Sequence, residues 1–153
     1  MQTKITELLS KNNISFRLLP CSKPVFTCEE AAQQRGISIN EMIKCILLVD
    51  KDKKYFLACL QGDKQLDPNK VRELVECKRL SFASKQEISE ILGYEMGAVP
   101  PLLLRNQIQI IFDDEIKRLE KCNISSGDPI FGLELKASDL ISLVKPLFGS
   151  IAK

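Results

Sequence analysis

Apolar residues recur along the chain at two periods, and the switches between them mark its elements. Ile5, Leu8 and Leu9 fall at helical spacing between Gln2 and Asn12, which predicts a short amphipathic helix. Ile14 to Leu19 predicts a strand closed by Pro20. Thr27 stands three residues before Glu30, a capping box that opens a helix over CEEAAQQR, and Gly36 ends it. The strongest strand signal follows. Met42 to Val49 is an apolar run broken by one lysine, Lys44, and Tyr55 to Leu60 is a second apolar run. The DKDKK between them reads as a turn, so the two predict a hairpin buried on both faces.

Asp67 and Pro68 supply the N-cap and first position of a helix through Glu76, and Leu80 to Ala83 is a short strand. Ser84 and Glu87 form a second capping box, whose helix stops at Gly93. Tyr94 to Leu104 is a loop around GAVPP, Gln107 to Phe112 a half-buried strand, and Asp113 to Leu119 a turn or two of helix. Cys122 to Ser125 and Ile130 to Leu135 are strands joined by SSGDP. Ser138 caps a last helix through Val144, which Pro146 prevents from extending. The order of strands and helices is irregular, which excludes the alternation of a doubly wound sheet. A mixed sheet with peripheral helices, an α+β domain, fits instead. With no repeat, low-complexity tract or linker, one domain is expected to fill residues 1–153.

Composition narrows the chemistry. The chain of 153 residues has no histidine, which excludes a Ser-His-Asp triad, a Cys-His pair and every metal site that uses imidazole. The net charge of +2 is far from that of a polyanion-coating protein. It is unevenly spread: residues 44–85 carry 10 basic and 6 acidic side chains, and residues 86–135 carry 4 and 9. None of the six cysteines, Cys21, Cys28, Cys45, Cys59, Cys77 and Cys122, forms a Cys-x-x-Cys pair, so no zinc ribbon or thioredoxin-type motif is present. Reduced thiols are expected. The N-terminal MQTKITELLSKNN lacks the apolar core of a signal peptide, and no apolar run has the length of a membrane span. The expectation is a cytoplasmic protein that needs no metal and no cofactor.

Three places could hold a site. Lys44 shares a strand face with Ile46 and Leu48. It either snorkels out of the apolar layer or stands as a cation at the floor of a pocket, aimed at a phosphate or a polarised carbonyl. The Gly97–Pro101 loop is stiffened by its prolines and open to close approach at its glycine; it is a substrate-holding loop or a rigid connection. The turn from Ser125 to Pro129 brings hydroxyls, a glycine and a carboxylate together, which is also ordinary turn chemistry. No phosphate-binding glycine loop and no nucleophile elbow occurs.

In order, PVFTCEEAA, MIKCILL, LACLQGDKQLD, GYEMGAVPP, FDDE and SSGDPIFGLEL make the chain resemble the YbaK family of aminoacyl-tRNA deacylases. Its domain also occurs as the editing insertion of bacterial prolyl-tRNA synthetases. The resemblance runs from about Ser15 to Val144. It implies a mixed, partly barrel-like β-sheet surrounded by helices, with a small pocket at the sheet. It places the family's essential lysine on Lys44 and its substrate loop on Gly97, Ala98, Val99 and Pro100. It also places a pocket-wall phenylalanine on Phe26 and a serine-glycine turn on Ser125 and Gly127. Of these, Phe26 comes from the resemblance alone.

The resemblance further implies hydrolysis without a side-chain general base: the lysine orients the terminal nucleotide or ester carbonyl, loop backbone groups hold the aminoacyl moiety, and the nucleophile is water or the substrate's own thiol. The partner would be the acceptor end of an aminoacyl-tRNA, most plausibly tRNA for proline carrying cysteine or alanine, with prolyl-tRNA synthetase a candidate protein partner. Where such loops often continue with Phe-Gly, this chain has Leu102 and Leu103. The rival expectations are a non-catalytic module that binds tRNA ends or nucleotides, and a thiol-based regulatory protein.

Overall fold

A computed structural model describes residues 2–153. Thr3 caps helix α1, Lys4–Lys11, through a capping box with Thr6, and Ile5 and Leu9 on its inner face are buried. Strand β1, Phe16–Pro20, leads to helix α2, Cys28–Arg35. Thr27 caps α2 by accepting from the Glu30 N–H, but only half of the expected box forms: the Glu30 carboxylate accepts from the Thr27 hydroxyl rather than from its backbone. A short 3-10 helix, Ile39–Glu41, which the apolar pattern does not predict, precedes strand β2, Ile43–Asp50. The hairpin to β3, Tyr55–Gln61, turns on the Asp50 side chain, which accepts from the Asp52 and Lys54 N–H groups at 2.8 Å each.

Helix α3, Pro68–Leu74, has Asp67 as N-cap and proline at its start, as expected. Strand β4, Leu80–Phe82, and helix α4, Lys85–Leu92, follow, and the Ser84–Glu87 capping box is complete. After the long loop come β5, Gln109–Asp113, a 3-10 helix over Asp114–Arg118, β6, Lys121–Ser125, and β7, Phe131–Lys136. Helix α5, Ala137–Val144, starts two residues earlier than a Ser138 cap would place it. Its N-cap position is Lys136, with no side-chain bond, so Ser138 lies inside the helix and does not cap it. Pro146 then gives way to a strand absent from the sequence reading, β8, Leu147–Gly149. Buried Asp113 docks the segment beyond it, its Oδ1 accepting from the Ile151 N–H at 2.9 Å.

The strands form two sheets. One is antiparallel in the order β1-β7-β6. The other is mixed in the order β4-β2-β3-β5-β8: β2 pairs antiparallel with β4 and β3, while β3, β5 and β8 run parallel. A parallel bridge between Met42 and Asn123 links the two sheets. The α+β expectation holds, although the sheets stay open and do not close into a barrel. The main core packs Leu47, Leu57 and Phe112 of the larger sheet with Ile124, Leu133 and Leu140. Leu48, Phe56, Leu60 and Ile111 pack on the larger sheet's other face with Val71 and Ile151. The central hairpin is therefore apolar on both faces over most of its length, as two long apolar runs interrupted only at Lys44 require. Fully burying each such side chain contributes about 1.5–3 kcal/mol. Among the described residues no helix is long and apolar enough to cross a membrane.

Candidate active site

Lys44 is the second residue of β2, just past the Met42 bridge where the larger sheet meets β6. Its ammonium turns out of the strand toward the chain after β3 and donates to the carbonyls of Gly62, at 3.4 Å, and Lys64. Gly62 is packed so tightly that a Cβ on it would stand 2.8 Å from the Ile39 carbonyl oxygen. That crowding fixes one of the acceptors. Lys44 is half-buried and forms no ion pair among the described residues, so two neutral carbonyls take up two of its three N–H groups and leave its charge uncancelled. The ammonium thus leaves the apolar layer for backbone carbonyls, and the same side chain lines a cavity.

A cavity of about 420 Å³ opens beside it. Phe26, Gly97, Ala98, Val99 and Ser125 line its walls together with Lys44. Pro100 and Gly127 do not. Pro100 is buried behind the loop, and Gly127 lies beneath the Tyr94 ring, where a Cβ would come within 2.8 Å of Cε1. The Tyr94 hydroxyl donates to the Leu103 carbonyl at 2.8 Å, so one aromatic side chain braces the Gly-Pro loop and covers the serine-glycine turn. Ser125 closes that turn by accepting from the Gly127 N–H at 3.0 Å. Of the two leucines that replace Phe-Gly, Leu102 enters the main core and Leu103 points outward; neither reaches the cavity.

The cavity's character comes largely from residues that sequence reasoning missed. Phe26 at 41% exposure, Met96 at 55% and Phe82 at 58% form an apolar rim, a platform of the kind on which a base can stack. Arg35 and Asn123 line the wall under α2. Asn123 is 1% exposed, and among the described residues neither its Oδ1 nor its Nδ2 has a partner. Each buried unpaired group of this kind costs about 1–3 kcal/mol. The only sequence signal was a polar residue inside the run Cys122 to Ile124, which alternation assigns to the outer face of the sheet.

Thiols contribute little nucleophilicity. Cys28 lines the cavity; burial pushes its thiol up, against a downward pull from the Lys44 ammonium. Cys59, fully buried against Cys45, is held well above the ordinary thiol value by burial, and burial pushes Cys122 up to about 12. All six cysteines are free. Among the described residues no cluster of histidine, cysteine, aspartate or glutamate could hold a metal ion.

The site therefore offers a fixed cation, a loop laid over an apolar cavity, and an aromatic rim, which together suit positioning an activated ester more than acid–base chemistry. The model of the aminoacyl-tRNA editing domain matches residues 22–143. A Proline--tRNA ligase from Bacillus licheniformis is 36% identical over 103 residues, 67% of this chain but only 18% of the ligase, so the chain spans about a fifth of that relative's length. The Multifunctional Ser/Thr-tRNA deacylase ProXp-y of Escherichia coli K12 is 24% identical over 147 residues, 94% of this chain and 87% of that one.

Among solved structures, hypothetical protein APE2540 superposes with a TM-score of 0.90 at 27% identity, covering 99% of this chain and all of that one. A candidate trans-editing enzyme for prolyl tRNA synthetase shares the fold with a TM-score of 0.84 at 21% identity, covering 100% of this chain and 99% of that one. The chain belongs to the aminoacyl-tRNA editing domain family.

Proposed function

We propose that the protein clears mischarged aminoacyl-tRNA in trans, hydrolysing the ester that joins a small non-cognate amino acid to the terminal ribose, with Lys44 at the centre of the reaction. The observation that carries this reading is the uncancelled Lys44 ammonium beside a cavity that the Gly97–Val99 segment and Phe26 wall in. Its free N–H is directed to the terminal nucleotide or the ester carbonyl, where it stabilises charge as the tetrahedral intermediate forms. The Ala98 N–H is committed to the Glu95 carbonyl at 2.9 Å, so the loop's hold on the aminoacyl group falls to the backbone of Gly97 and Val99. Phe26 walls the pocket, and Ser125 with Gly127 shapes its far turn.

Water, activated by the free ribose hydroxyl, attacks the carbonyl carbon; when the amino acid is cysteine, its own thiol serves. An aminoacyl ester is already reactive, so positioning and charge suffice in a chain with no histidine. The family resemblance points first to tRNA for proline carrying cysteine or alanine as the substrates to be tested. The E. coli relative is named for seryl and threonyl esters, which adds these two to the substrates to be tested. The small net charge gives a weak intrinsic hold on tRNA, which leaves room for prolyl-tRNA synthetase as a partner that delivers it in the cytoplasm.

The test is a panel of purified aminoacyl-tRNAs. One or a few should lose their amino acid faster than the spontaneous rate, and Lys44→Ala should end that acceleration without unfolding the protein. Binding of the acceptor end with no acceleration on any ester would favour a recognition module instead.

A further inference from the structure

Asn123 has no reason to be polar if it serves packing alone. Along β6, Cys122 and Ile124 enter the main core, so Asn123 and Ser125 face the opposite side, toward α2. Among the described residues no neighbouring polar group bonds the amide. Glu134, its register partner on β7, is taken by Arg17, whose Nη2 donates to Oε2 at 2.9 Å. The Ser125 hydroxyl accepts from Gly127. The Arg35 guanidinium lies on Gly132, where a Cβ would stand 2.3 Å from Nη1, and its Nε donates to the Cys21 sulfur at 3.3 Å. A fully buried amide is thereby left bare on the wall of the substrate cavity.

We propose that Asn123 is the specificity-determining residue of this cavity, reading a hydroxyl on the side chain of the aminoacyl group. The inference rests on the editing function proposed above and names its substrate class: esters of hydroxylated amino acids. The chemistry selects among small groups. Both an acceptor and a donor are unpaired, so the ligand should offer both. An ammonium would leave Nδ2 bare and would meet Arg35 and Lys44 on the same cavity. A carboxylate would leave Oδ1 bare. A methyl group would satisfy neither, and a thiol is weak in both roles. A hydroxyl carries both on one atom. A site built around a hydrogen-bonding group rejects analogues that lack the partner, because its own buried polar atoms then go unpaired.

The test compares seryl, threonyl, alanyl and cysteinyl esters on one tRNA, with wild type and Asn123→Leu. Wild type should favour the seryl over the alanyl ester in kcat/KM by about tenfold or more, and Asn123→Leu should bring that ratio close to one. Asn123→Ala replaces the leucine variant if the latter does not fold. A wild type that cleaves alanyl and cysteinyl esters with no preference for a hydroxyl overturns this inference and leaves the editing function standing. A wild-type preference that survives in the variant, with all esters slowed in proportion, overturns it as well, since Asn123 would then serve the ribose or the fold. A wild type that cleaves none of the four removes both readings.

Discussion

Gly97 lies against the main chain of Phe26 so closely that a Cβ on it would stand 2.2 Å from the Phe26 carbonyl oxygen. Two segments more than 70 residues apart in sequence are thereby pressed together backbone to backbone, one from the Gly-Pro loop and one from the turn before α2. The width of the cavity mouth between them is fixed by the missing side chain. Gly97 also holds φ at +87°, in the region that favours glycine.

Replacing that glycine should therefore act on the site and not only on stability. A non-glycine residue in the left-handed region costs about 1–2 kcal/mol. At Gly97 the clash with backbone cannot be relieved by turning a side chain, so the loop must shift. Gly97→Ala should lose about 100-fold or more in deacylation, as a displacement of about 1 Å in a positioning group can do. Gly36→Ala is the control. Its φ is +65° but nothing stands within 4 Å of the new Cβ, so it should lower the melting temperature with little change in rate. Parallel melting curves and deacylation rates separate the two.

Lys44 should behave as a catalytic group rather than a structural one. Because its ammonium leans on two carbonyls and no carboxylate, its removal strands no opposite charge. Lys44→Ala should reduce kcat by about 100- to 1,000-fold, the cost of losing one charge-stabilising donor, while the urea midpoint moves little. Lys44→Arg should restore only a small part, since the planar guanidinium cannot take the ammonium's place between the Gly62 and Lys64 carbonyls. Equal losses in stability and rate would contradict this role.

How much of this was legible beforehand follows from range. The capping residues Thr27, Asp67 and Ser84 announce their helices because caps are local. The central hairpin is legible because two long apolar runs leave few alternatives. Leu147–Gly149 is not, since a three-residue strand has no periodicity and exists through its parallel pairing with β5. At the site, Lys44 stands out as a charge in an apolar run, whereas Phe26 carries no local signal and came only with the resemblance. Asn123, Arg35 and Phe82 meet across β6, α2 and β4, so no window of sequence contains them.

Stability should fall at both ends of the pH scale through one hydrogen bond. Tyr55 donates to Glu87 at 2.7 Å. The Ser84 N–H and then the Tyr55 hydroxyl hold the Glu87 carboxyl below its ordinary value. The contribution of Glu87 is thus present above the ordinary glutamate range and is lost as pH falls through its lowered value. The same bond pushes Tyr55 up to about 12. Its neutral phenol stabilises the fold fully below the ordinary tyrosine value and is lost as pH rises from there toward about 12. Tyr55→Phe should weaken the protein at pH 7 and flatten both limbs. Urea midpoints across the pH range check this.

The Cys28 thiol should report on the Lys44 ammonium. Burial raises this thiol and the nearby positive charge lowers it, so the wild-type protein holds it mostly protonated at pH 7, and alkylation by iodoacetamide should be slow. Taking away the charge leaves burial unopposed. In Lys44→Met the thiol should rise further, and Cys28 should be alkylated more slowly than in wild type at the same pH. Peptide-resolved mass spectrometry distinguishes it from the half-buried Cys21 and Cys77. Faster alkylation in the variant would mean that the ammonium does not act on the cavity wall, and would count against Lys44 as the cation that meets the substrate.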